Sequence, residues 1–191
     1  MKSKTLYHFF LISFLSCLVL LSPVQAAEDK DPTIEEIVLT TSSSELLLFA
    51  TVENSFTDTM LEGVRNGIPI TFRFTIILDK IRSAWFDLSL FEETINHTLR
   101  YDAVKQTYQI DFSEKNRSQL TRSVETAKQL MSDLNGIQII ALKKLHPDAR
   151  YALQIKATLV ENTLPLGIHY LLPFTSLWNF ETDWRTVEFR Y

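Results

Sequence analysis

One cysteine and four glycines in 191 residues leave this chain short of two residue types on which many sites are built. The single thiol, Cys17, lies in the apolar amino-terminal run. The rest of the chain can therefore form no internal disulfide and offers no thiolate to a zinc ion or to nucleophilic chemistry. The shortage of glycine excludes a Gly-rich phosphate loop, and no Gly-x-Ser-x-Gly elbow occurs. Histidine is scarce too. Beyond the amino-terminal run there are only His97, His146 and His169, none at a metal-ligand interval from another, so neither a metal nor a cofactor is expected. Basic residues are outnumbered, 19 Lys and Arg against 23 Asp and Glu, and the pair Lys143-Lys144 is the one notable basic spot. A nucleic-acid partner is excluded on that balance.

What is present begins with the layout of a secretory signal. Lys2 and Lys4 precede an apolar run over residues 6–21, followed by Pro23 and the small-residue sequence Val24-Gln25-Ala26-Ala27. This predicts a signal peptide over 1–26 cleaved between Ala26 and Ala27. A membrane anchor needs roughly 20 apolar residues, and this run is shorter and interrupted by Ser13 and Ser16. A lipoprotein signal is disfavoured by Phe14 before Cys17 and by the apolar residues 18–21 after it. Processing would leave 165 residues carrying 17 basic and 23 acidic side chains, with no integral membrane segment, in the periplasm. That length suits one domain, expected over 33–191 behind a disordered lead at 27–32.

Two-residue alternation dominates the domain. Leu46, Leu48, Ala50 and Val52 share one face of a predicted strand, as do Phe72, Phe74, Ile76 and Leu78 of another. Tyr108, Ile110 and Phe112 form a third set, and Tyr151, Leu153, Ile155, Ala157 and Leu159 a fourth. With segments at 34–40, 95–101 and 187–191, about seven strands are expected. Residues 41–44 and 102–106 are too short to be anything but turns, which implies antiparallel pairing. One long amphipathic helix is predicted over 118–134, its stripe made by Leu120, Val124, Ala127, Leu130, Met131 and Leu134. Asn116 or Ser118 would cap it and Asn135-Gly136 would end it. A short helix is predicted over 57–65, closed by Asn66-Gly67. The fold class is mainly β (α+β), an antiparallel β-sandwich-like domain with one long and one short helix.

No constellation of catalytic groups stands out. Glu92-Glu93 is the conspicuous carboxylate pair, but neighbours in sequence point apart in a strand or helix, so surface charge is the reading. An enzyme would have to draw on Arg100, Tyr101, Asp102 and His169, and the plain role for the first three is a strand end whose Asp102 bonds the turn that follows. Aromatic residues are plentiful and late. The candidate binding surface is the stretch 164–174 with its surroundings, represented by Leu164, Pro165, Tyr170, Pro173, Phe174, Trp178 and Trp184. A carrier of a small apolar ligand would use Phe72, Phe74 and Trp178 as pocket walls.

Several landmarks occur together: Leu61-Glu62-Gly63 leading to Gly67-Ile68-Pro69-Ile70-Thr71-Phe72, then Leu99-Arg100-Tyr101-Asp102 with Tyr108. Ala127 to Leu130, Leu164-Pro165 and Trp178-Asn179-Phe180-Glu181-Thr182-Asp183-Trp184 follow. Over residues 34–184 this resembles a family of exported proteobacterial proteins known only as a domain of unknown function, with Thr182 standing where the pattern has serine. The resemblance implies a small envelope protein without assigned activity. The genes of some relatives adjoin a membrane-bound sensor kinase of the nitrogen-regulation type, which implies a signalling partner. The expected role is a non-enzymatic binding or accessory module for an envelope protein or membrane sensor, ahead of a ligand carrier or an enzyme.

Overall fold

Alternation in the sequence becomes burial in the computed structural model, which describes residues 30–83, 86–160 and 180–191. In β2 (Glu45–Glu53) the buried side chains are Leu46, Leu48, Ala50 and Val52. In β3 (Ile70–Lys80) they are Ile70, Phe72, Phe74, Ile76 and Leu78. The other described strands are β1 (Thr33–Thr41), β4 (Leu88–Asp102), β5 (Thr107–Phe112), β6 (Arg117–Thr121), β7 (Asp133–Ala141), β8 (Arg150–Leu159) and β9 (Arg185–Arg190). They form two antiparallel sheets, a small one ordered β1-β2-β7 and a large one ordered β6-β5-β4-β3-β8-β9. Inward residues of both sheets meet in one hydrophobic core, which is the arrangement of a packed two-sheet domain. The mainly-β reading therefore holds, with nine strands among the described residues in place of seven.

Helix α1 (Asp58–Arg65) follows the expected chemistry at both ends. Thr57 Oγ1 accepts from the Met60 N–H, and Asn66-Gly67 closes the helix with Ile68 N–H on Gly63 O and Gly67 N–H on Val64 O. Gly67 at φ +89° supplies the left-handed step of this Schellman closure.

The long helix is corrected. Helix α2 covers only Val124–Ser132, capped by Ser123, whose Oγ accepts from the Thr126 N–H. The residues expected to begin it form β6, which returns along β5 through a turn at Asn116, a residue at φ +45°. Leu120 belongs to this edge strand and is 68% exposed. At its other end α2 passes directly into β7, because Asp133 is already extended and is held by the Thr51 hydroxyl at 3.1 Å. Asn135-Gly136 is thus no helix exit. Gly136, at φ +70°, lies where the β2–β7 register slips between Leu48 and Phe49, a β-bulge. Ala127 and Met131 are buried, and Val124 and Leu130 pack against the core, so the middle of the expected stripe does face inward.

Among the described residues no helix is long and apolar enough to cross a membrane. The predicted signal peptide and the start of the predicted lead lie outside the described residues.

Candidate functional site

The central polar feature is interior. In β4 the inward phase runs Ile95, His97, Leu99, which places an imidazole among core side chains. His97 is 0% exposed, between the edges of Phe74 and Phe112, whose ring centroids lie 5.1 and 4.8 Å away. Its Nδ1 is 3.0 Å from the Met131 carbonyl oxygen in the last turn of α2. Its Nε2 is 3.4 Å from Glu114 Oε1, an ion-pair distance without hydrogen-bond alignment. Glu114 belongs to the β5–β6 turn; its side chain is 9% exposed, and Lys115 Nζ lies 3.5 Å from the same oxygen. Burial alone would push the Glu114 carboxyl up, but the His97 ring, the Glu114 backbone N–H and Lys115 outweigh it and hold the group below the ordinary range. Nearby, the Ser55 and Ser132 hydroxyls pair at 2.6 Å where α2 meets β7. The inward phase of β4 already marks His97 in the sequence. Glu114 has no periodic signal, since it lies in a turn.

Three of the four residues named for an enzyme, Arg100, Tyr101 and Asp102, are described, and each makes side-chain contacts. Arg100 forms an ion pair with Asp111, which also accepts from Gln109 and Ser118. Burial would raise the Asp111 carboxyl, and these three partners together bring it down instead. Tyr101 packs its ring on Tyr108, whose hydroxyl accepts from Arg65 Nε at 3.3 Å. This joins α1 to the Leu99-Arg100-Tyr101-Asp102 segment. Asp102 Oδ1 accepts from the Val104 and Lys105 N–H groups at 3.0 Å, the turn role expected of it, and the Lys105 N–H is the main cause of its lowered carboxyl. Glu92 and Glu93 are both exposed, as expected. Among the described residues no three His, Cys, Asp or Glu side chains gather as a metal site.

Of the predicted binding surface only Trp184 is described. It is 43% exposed, with Lys156 Nζ 5.8 Å from the ring centroid and Lys156 paired to Glu181. Leu164, Pro165, Tyr170, Pro173, Phe174 and Trp178 lie outside the described residues, as does His169. The proposed pocket walls Phe72 and Phe74 are fully buried. Phe72 stacks on Phe180 at 4.5 Å and tilts against Phe56 at 4.9 Å, while Phe74 meets His97.

A surface feature the sequence did not single out is the outer edge of β1, with which no other strand pairs among the described residues. The large sheet ends on β6 and β9, both short and carrying charge at Arg117, Arg185, Glu188 and Arg190. The small sheet ends on β7, interrupted by register slips, and on β1, nine residues long. One bulge at Glu36, φ +51°, bends β1 near its start; from Val38 to Thr41 its pairing with β2 is regular. This half, Ile37-Val38-Leu39-Thr40-Thr41, has no charge, proline or glycine, and Val38 is 52% exposed. It lacks the devices that usually blunt an edge.

Neither a curated protein nor a solved structure matches the chain. Residues 29–188 match a family described as Domain of unknown function (DUF4390), and at that coverage the chain belongs to this family.

Proposed function

We propose that this protein is an exported, non-enzymatic binding module of the bacterial envelope, which takes an extended segment of an envelope or membrane-sensor protein along the outer edge of β1, unpaired among the described residues. The observation that carries the reading is the uncharged stretch from Ile37 to Thr41, regularly paired from Val38 on, beside an otherwise blunted set of edges among the described residues. Such an edge offers backbone donors and acceptors to one more strand, and alternate side chains select it. Arg100 and Asp102, the groups an enzyme would need free, are engaged in an ion pair and in a turn. Export rests on the amino-terminal sequence. A carrier draws less support, because its proposed walls Phe72 and Phe74 are packed against other rings.

The test uses the full chain, tagged at its carboxyl end and recovered from crosslinked envelopes, with mass spectrometry of its new amino terminus and its companions. A start at Ala27 and one stoichiometric envelope protein are expected. The double variant Val38→Lys/Thr40→Lys places two charges on the edge while leaving the core side chains in place. It should keep the wild-type circular dichroism spectrum and lose that companion by at least about tenfold, since like or unpaired charges oppose strand addition. Retention of the same companion by the variant would sink the edge reading, and an intact Met1 would sink export.

A further inference from the structure

His97 and Glu114 pose a bonding problem with one simple solution. A carbonyl oxygen only accepts, so His97 Nδ1 must carry a proton to bond Met131 O. If Nε2 were then bare, its lone pair would face a buried carboxylate at 3.4 Å, with both Glu114 oxygens and Nε2 left without hydrogen bonds. An arrangement of that kind is strongly unfavourable in the interior. A proton between the two groups removes it, giving an imidazolium that donates to the carboxylate on one side and to the helix on the other. A metal ion in that place is the weaker solution. It would find two protein donors, with the Lys115 ammonium already 3.5 Å from Glu114 Oε1.

We propose that His97 and Glu114 form an acid-sensitive latch, in which one buried proton holds the β5–β6 turn, strand β4 and the end of helix α2 together. The neighbourhood supplies little else that is charged. The turn contributes Lys115, which also covers the Phe112 ring at 5.3 Å. Glu125 and Lys128 of α2 pair with each other, and Asp133 at the start of β7 accepts from Thr51. From β3, β4 and β5 the ring is met by Phe74, by its own strand and by Phe112. When acid protonates Glu114, the imidazolium loses its counter-charge in a sealed site and the hold on α2 weakens. Because the Glu114 carboxyl is held below its ordinary range, this release comes at a pH below about 4.3, the unperturbed glutamate value.

The test is nuclear magnetic resonance on the full processed chain, with the His97 ring assigned through its contacts with Phe74 and Phe112. At neutral pH two slowly exchanging ring N–H protons are expected. After correction for intrinsic rates, amide exchange across α2 should rise about tenfold or more on acidification, the scale of one charge-assisted hydrogen bond. Exchange in β3 should rise by less than exchange in α2. In Glu114→Gln the side-chain amide can donate to a bare Nε2, so the variant should fold, show one ring N–H and lose the acid step in α2. A single ring proton in the wild type, or an acid step that persists unchanged in Glu114→Gln, would overturn the proposal. Neither result bears on β1, so the latch and the edge reading stand or fall separately.

Discussion

A threonine hydroxyl completes the ladder of β8. Thr182 is buried, its backbone N–H donates to Ala157 O at 2.9 Å, and its Oγ1 accepts from the Ala157 N–H at 3.0 Å. The contact uses only the hydroxyl, which serine would provide as well as threonine. Thr182→Val would strand a buried N–H at little change in volume. The expected loss is about 1–3 kcal/mol, read as a lower urea midpoint with an unchanged slope, whereas Thr182→Ser should stay within about 1 kcal/mol of wild type. Asp102 shows the same economy on the surface, where two turn N–H groups occupy one carboxylate oxygen. Its role was legible in the sequence because all of its chemistry lies within three residues.

At the level of elements, the ends of α1 were equally legible, Thr57 before the helix and Asn66-Gly67 after it. A Cβ at Gly67 would meet nothing within 4 Å, so Gly67→Ala tests backbone conformation alone. At φ +89° it should cost about 1–2 kcal/mol in thermal or urea unfolding, with no change in the core. Helix α2 shows where such reading fails. Leu120 stands four residues before Val124 and so satisfies a helical stripe, yet it lies outward on β6; Asn135-Gly136 offers a left-handed step that serves a helix exit or a bulge equally well. Only β2, remote in the chain, decides between them. The two missed strands are those whose partners or turns carry no local mark: β6 depends on a turn without glycine, and β7 follows a helix with no loop between. The same limit applies to the sites. His97 could be placed inward from the alternation Ile95, His97, Leu99, but its partner Glu114 could not, and the edge position of β1 among the described strands is a property of what does not pair with it.

Across the described residues, three carboxyls are held below their ordinary range: Asp102 chiefly by the Lys105 N–H, Asp111 and Glu114 by partners that outweigh burial. A carboxyl lowered by folding adds stability that is present above its unfolded value, about 3.9 for Asp and 4.3 for Glu, and is lost as pH falls through the folded one. Urea midpoints should therefore fall on acidification below about pH 4. Asp102 and Asp111 are exposed enough for solvent to screen most of their share, so Glu114→Gln should flatten this limb more than Asp102→Asn. The junction of α2 and β7 gives such a loss a particular form. Ser132 is the last helical residue and Asp133 the first of the strand, so no linker absorbs motion between them. The pairing of β7 with β2 carries two register slips, each fixed to one position along the strand. A one-residue slide would exchange the faces of Leu134 and Asn135, so β7 is seated in one notch or disengaged, with no stable place between.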